Sequence, residues 1–273
     1  MIALTEDKRM LGYGVMTPYS NIFCFATTRR EGFSKGDYAS FNCTPYTGDD
    51  AESVRRNQEL LCNSMPQPPK ELVIPFQTHG TKVEVIDEKY LNATSDERTV
   101  MLQGVDALIT KEPGCCICIS TADCIPILLY DCKNQVVAAA HAGWRGTVNY
   151  IAGHTLDRMR ALYGTDGKDV IACIGPGISL PSFEVGEEVY EAFRMNGFAM
   201  DYISEWKPET HKHHIDLWAA NRIQLLDFGV PGEQIETSGI CTYMRHEEFF
   251  SARRLGIKSG RILSGIMIVD TKP

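Results

Sequence analysis

The stretch STADCIPILLYDCKNQVVAAAHAGWRGT, residues 120–147, decides how this chain is read. It holds two strongly apolar runs separated by a short polar turn. Each run is interrupted by a reactive residue: Asp123-Cys124 sits inside the first, and His141 closes the second. Runs this short, bounded by turn residues, read as buried strands rather than helices. Pro126 prevents a helix from starting there, and Ile125, the residue before it, is held extended. Cys124 is therefore expected on rigid backbone. The plain reading is a pair of turns between buried strands. The sharper one is a metal or nucleophile site.

Working outward, strands are expected over residues 21–28, 72–76, 82–87, 106–110, 116–120, 126–131, 136–140, 170–175 and 262–269. A helix opens at Asp49-Asp50, with Val54, Leu60 and Leu61 on one face. Another runs over 147–163, with Ile151, Thr155, Met159 and Leu162 as its apolar stripe and Gly164 as its stop. Further helices are expected over 187–196 and 217–228. Residues 63–70 and 89–103 read as loops. Helices and strands alternate, yet several strands follow one another directly, so the sheet is expected to be mixed. Nothing in the chain resembles a repeat or an interdomain linker, so residues 1–273 are expected to form a single domain.

Composition narrows the function classes. The chain has 273 residues, 44% of them hydrophobic, and a formal net charge of -8. That balance disfavours a nucleic-acid binder, which more often carries a basic surface. The first ten residues hold two acids and two bases and no apolar run, so no secretory signal is read. Residues 114–130 are apolar but too short and interrupted for a membrane span. The expected location is the cytoplasm, and the ten cysteines are expected to be reduced. Cys115 and Cys118 form a literal C-x-x-C. A redox pair wants a helix N-terminus, and CCICIS reads as a strand, so these thiols are expected to be core.

Four segments carry candidate chemistry. In AHAGWRGT (140–147), a strand ends at His141 and a helix starts at about Thr147. The small residues let a ligand approach the backbone, the helix start attracts anions, and Arg145 can make a bidentate phosphate contact. In TADC (121–124), Cys124 with a nearby histidine can act as a nucleophile, or both can bind zinc. QTHG (77–80) places His79 after an apolar strand, as a ligand or as a turn residue. TTRREGFSKGDYASFN (27–42) carries Arg29 and Arg30 in a second glycine-rich loop, and SARRLG (251–256) adds Arg253 and Arg254. HKHH (211–214) is the most visible histidine cluster. A multicopper oxidase needs about ten histidines and this chain has seven, so HKHH is expected to be a loop with adventitious metal affinity. The chain lacks the phosphate loops, dinucleotide fingerprint, zinc-protease and deaminase signatures that would assign it elsewhere.

Taken together and in order, TTRREGFSKGDYASFN, GDD, QTHG, TADCIPILL, AHAGWRGT, IGPGIS, CTY and FFSARRLGIKSGR resemble the laccase-domain family of multifunctional purine nucleoside phosphorylases. That family is also labelled polyphenol oxidases or peptidoglycan editing factors. The resemblance runs from about Asn21 to Met267. It implies a single-domain α/β (α+β) layered sandwich with a mixed β-sheet. It also implies one zinc per chain, held by His79, Cys124 and His141, with copper able to substitute in vitro. The implied activities are phosphorolysis of adenosine, inosine and methylthioadenosine, and deamination of adenosine. Three protein ligands leave a fourth position open, as in catalytic zinc sites. Cys124, His141 and Arg145 are the expected catalytic residues, and Arg29 and Arg145 the expected phosphate contacts. The expected partners are purine nucleosides and phosphate, with no nucleic acid and no membrane, in a monomer or homodimer. Glu31 departs from the family, which commonly has glycine there; the change falls on the pocket rim and leaves the ligands intact. Three other readings stay open: a Cys-His amidohydrolase acting on peptidoglycan precursors, a copper-dependent polyphenol oxidase, and a partner-binding protein whose metal only stabilises the fold.

Overall fold

The computed structural model describes residues 1–269. Two six-stranded mixed sheets are stacked, with helices on both outer faces. The first sheet runs Ile2–Ala3, Met10–Gly12, Ile22–Thr27, Ile262–Ile268, Cys115–Thr121, Glu71–Val73, and only its last pair is parallel. The second runs Ile235–Thr237, Val170–Ile174, Ile125–Asp131, Val136–Ala142, Ala107–Thr110, Val83–Val85, with a parallel pair at each edge. A small antiparallel sheet of Glu184–Val185, Lys212–Ile215 and Ser204–Lys207 lies outside both. No helix among the described residues is long and apolar enough to cross a membrane.

The layering explains the continuous apolar runs. Ile117 and Ile119 of the first sheet meet Leu128, Tyr130, Val137 and Ala139 of the second in one core between the sheets. The alternate residues Ile127, Leu129, Ala138 and Ala140 face outward onto Leu156 and Met159 of helix Ile151–Tyr163 and Leu217 and Leu225 of helix Leu217–Phe228. Cys116 and Cys118 face the other way, toward Leu61 of helix Ala51–Asn63. A strand covered on both faces needs apolar residues at every position, and so loses the period-two signal. The C-x-x-C thiols are buried in a strand and free.

Two local expectations are corrected. Residues 89–103, expected as loop, form helices Glu88–Asn92 and Ser95–Met101. The second starts with a capping box: the Thr94 side chain accepts from the Glu97 amide, and the Glu97 carboxylate accepts from the Thr94 amide. The helix expected over 147–163 starts earlier and is broken. It comprises Trp144–Val148 and Ile151–Tyr163, with Tyr150 left-handed at φ 59°. Side chains of the neighbouring helix cover the break. Gln224 donates to the Thr147 carbonyl (2.9 Å) and Asn221 to its hydroxyl (3.1 Å). The buried stripe is Ile151, Ala152, Thr155, Leu156 and Met159, and Leu162 is exposed. Gly164 ends the helix with φ 72°, as its position suggested.

Candidate metal centre and active-site cleft

The chain crosses from the first sheet to the second at residues 122–124, and the candidate site is built on that crossing. Asp123 turns the corner with φ 82°, a conformation that aspartate tolerates better than most side chains. Its carboxylate accepts from the Thr242 hydroxyl (2.7 Å) and the Arg253 amide (2.7 Å), which fixes the turn from the far end of the sequence. Cys124 follows, immediately before strand Ile125–Asp131. The antiparallel register pairs Ile125 with Ala142 and Pro126 with His141, so the hairpin itself delivers His141 beside Cys124. The two apolar runs of the opening stretch are thus neighbouring strands that hold both reactive side chains at one end.

His79 arrives from the loop after Glu71–Val73. Gln77 fastens that loop to the first sheet: its side chain accepts from the Ser120 amide (2.8 Å) and donates to the Ser120 carbonyl (2.9 Å). The ligand atoms of His79, Cys124 and His141 all lie within 4.8 Å of one another. The two imidazole rings meet edge to face, 4.8 Å between centroids. Metal bonds of about 2.0–2.3 Å suit these donors, so small rotations close all three on one ion. Gly143 supports that fit. A β-carbon there would stand 3.0 Å from the Cys124 sulfur and 3.0 Å from His79 Cδ2. Among the described residues this is the group of histidine, cysteine and acidic side chains suited to hold a metal ion.

Asp106, which the motifs did not single out, organises the cluster. It is fully buried. One carboxylate oxygen lies 2.8 Å from His141 Nδ1 and accepts from the His79 amide (3.0 Å). The other accepts from the amides of Gly80 (2.7 Å) and Thr78 (3.2 Å). With Nδ1–H donated to the carboxylate, Nε2 of His141 is left as the free lone pair, the second-sphere arrangement that orients metal-binding histidines. Burial pushes the Asp106 carboxyl up, but the His141 contact and the amides outweigh it and bring it below the usual range. Burial likewise pushes the Cys124 thiol up, and the two imidazoles bring it down to about 6. His141 is pushed down by burial and raised by Cys124 and Asp106 to about 9.

A cleft of about 420 Å³ opens above these three side chains. Tyr46 and Phe76 form one wall, packed edge to face at 5.3 Å, with Phe183 among the other residues lining the cleft; Arg253 and Arg261 supply its positive charge. The arginines expected to bind phosphate sit elsewhere. Arg29 is folded against Phe250, with its Nε donating to the Ala39 carbonyl (2.7 Å) and Nη1 to that of His246 (2.8 Å). Arg145 is exposed and stacks on Trp144, 4.3 Å from its ring. Neither lines the cleft.

Within HKHH only His211 lies in a turn; the other three residues are strand. Lys212–Ile215 is the central strand of the small sheet, where His213 stacks on Tyr190 at 3.7 Å and His214 Nδ1 lies 3.0 Å from the Leu180 carbonyl. The alternating pattern was hidden because the packing partners come from other elements. Replacing both His211 and His213 by alanine is expected to leave the metal content unchanged. It should lower stability by about 1 kcal/mol through loss of the stacked ring. Metal analysis checks this; loss of tightly bound metal would place the site here instead.

Comparison with known proteins decides the family. The model of the family described as multi-copper polyphenol oxidoreductase laccase matches residues 23–269. The chain belongs to this family. Within it, the chain is 66% identical over 268 residues to a protein of Bacteroides thetaiotaomicron named purine nucleoside phosphorylase, covering 98% of this chain and 99% of that one. It is 43% identical over 242 residues to adenosine deaminase RL5 from an unknown prokaryotic organism, covering 89% and 92%. The crystal structure of YlmD from Geobacillus stearothermophilus superposes with a TM-score of 0.88 at 30% identity, over 97% of this chain and 98% of that one. The laccase-domain fold expected from the motifs is thus the fold found.

Proposed function

We propose that this chain is a zinc-dependent purine nucleoside phosphorylase, acting on adenosine, inosine and methylthioadenosine, with adenosine deaminase activity. The observation that carries the reading is the His79–Cys124–His141 cluster at the floor of an aromatic-walled cleft. The names of the similar proteins from Bacteroides thetaiotaomicron and of RL5 supply the reaction classes. Two imidazoles and a thiolate suit zinc; His79, Cys124 and His141 would hold it, and three protein donors would leave one coordination position free. A bound zinc supplies a Lewis acid there and activates water near neutral pH.

The chain's own residues then have separate tasks. Asp106 holds His141 in one tautomer and His79 in one backbone conformation. Tyr46, Phe76 and Phe183 offer flat apolar surface for a purine and exclude water from the floor. The test is chromatography of adenosine incubated with the purified protein, with and without phosphate. Adenine formed only with phosphate is the expected product of phosphorolysis, and inosine that of deamination. Neither product, from protein holding a full equivalent of zinc, overturns the reading.

One observation favours a second reading. Cys124, His141 and Asp106 stand in the order nucleophile, base and orienting carboxylate. An amidohydrolase working on peptidoglycan precursors would need the thiolate free of metal. The metal content of active protein separates the two.

A further inference from the structure

The cleft holds a cation whose partners are main-chain carbonyls and, among the described residues, three hydroxyls without a hydrogen-bond partner, those of Thr44, Ser120 and Thr121, of which the two threonines are almost fully buried. Arg261 lines it, and among the described residues its guanidinium donates only to main-chain carbonyls: Nη1 to those of Ser259 and Gly260, and Nη2 to that of Ile257. Its Nε–H and the second Nη2 hydrogen remain over. The carboxylate of Asp123 is committed to Thr242 and the Arg253 amide. Burial draws the Arg261 pKa down from its usual value, a sign of a charge short of water. Arg253 also lines the cleft, but its Nη1 donates to the Glu184 carbonyl (3.1 Å) and the group lies over Phe183, nearer the rim.

Two threonines line the same cleft as Arg261. Thr121 pairs in register with Ile262, the residue after Arg261. The Arg261 amide donates to Asn42 Oδ1 (3.1 Å), and the Asn42 side chain donates to the Thr47 hydroxyl (3.1 Å), which ties the 42–47 loop against it. Thr44 stands in that loop. Thr44 and Thr121 are each 1% exposed, both line the cleft, and neither hydroxyl has a hydrogen-bond partner among the described residues. Buried hydroxyls without partners destabilise the free protein. They are tolerated where a ligand completes them.

We propose that Arg261, Thr44 and Thr121 form an oxyanion subsite for inorganic phosphate, beside the His79–Cys124–His141 floor. This rests on the phosphorylase reading for its substrate. A tetrahedral oxyanion matches the set: two guanidinium hydrogens can take two of its oxygens, and the hydroxyls donate to the others. The subsite takes over the role that sequence alone gave to Arg29 and Arg145.

The test uses zinc-loaded protein carrying Arg261→Lys, Thr44→Val or Thr121→Val. Two quantities are read: the phosphate KM at saturating inosine, and the phosphate Kd by calorimetry without nucleoside. Arg261→Lys is expected to raise both by about tenfold or more, since a fork of charge-assisted bonds is lost, while the inosine KM moves by less than about threefold. The valine variants are expected to raise the phosphate Kd by roughly threefold to tenfold, with a melting temperature equal to or above that of the parent. A purely structural role would lower the melting temperature and move both KM values together. Phosphate KM and Kd within about twofold of the parent in Arg261→Lys overturn the proposal, as does an effect confined to Arg145→Ala. A parent that binds phosphate through Arg261 but never consumes it would sink the phosphorylase reading and leave the anion site. A parent that consumes phosphate regardless of Arg261 would do the reverse.

Discussion

Cys124→Ala is expected to strip the protein of metal and to abolish both phosphorolysis and deamination. The three donors come from residues 79, 124 and 141, so no local chelate survives the loss of one. The thiolate is also the anionic donor of the set, since both imidazoles bind as neutral ligands. Affinity for zinc should fall by several orders of magnitude, read by competition with a chromogenic chelator. Cys124→Ser keeps the size but is a poor thiolate substitute, and is expected to behave nearly as badly. Cys116→Ala and Cys118→Ala change only the core beneath helix Ala51–Asn63; they should keep a full equivalent of zinc and lose modest stability. A Cys124→Ala protein that retains its zinc but is inactive would make Cys124 a nucleophile.

Asp106→Ala is expected to have the second largest effect, on two separate readouts. Its carboxylate is the acceptor for three loop amides and for His141 Nδ1. Each donor left buried and unpaired costs about 1–3 kcal/mol. Thr78 and His79 are exposed, so water relieves part of that, and a net loss of about 2–4 kcal/mol is expected by thermal or urea unfolding. Zinc affinity should fall by about 10–100-fold, because His141 loses its fixed tautomer and orientation. Asp106→Asn keeps the shape and one acceptor. It should recover part of the stability, since its NH2 faces amide donors where the second carboxylate oxygen accepted, and little of the affinity. Equal recovery of both would reduce Asp106 to a structural role.

Cys124 and His141 were legible because each interrupts an apolar run, and an ionisable group costs too much there to be idle. The strands themselves were legible for the same reason. Their arrangement was less so. Apolar runs buried on both faces say nothing about which neighbour they take, and a single mixed sheet and two stacked ones read alike. Asp106 was missed because its partners, Thr78 to Gly80 and His141, lie 26 to 35 residues away. Its one local signal was an acid placed directly before the apolar strand Ala107–Thr110. The break at Tyr150 depends on Gln224 and Asn221, which no window around it contains. The helix at Ser95–Met101 is different: the Thr94–Glu97 pair that starts it stood in the sequence and was outweighed by the polarity around it.

The crossing at residues 122–124 and the cleft above it divide the labour of the chain unequally. Cys124 and His141 stand on paired strands whose register, turn and core are shared with both sheets, so a change there disturbs the whole scaffold. Tyr46, Phe76, Phe183 and Ile257 line the cleft from connecting segments outside the strands of the two large sheets. Proteins built on this plan are free to diverge in the molecules they admit while keeping one reactive centre, and a common scaffold is then a poor guide to a common substrate.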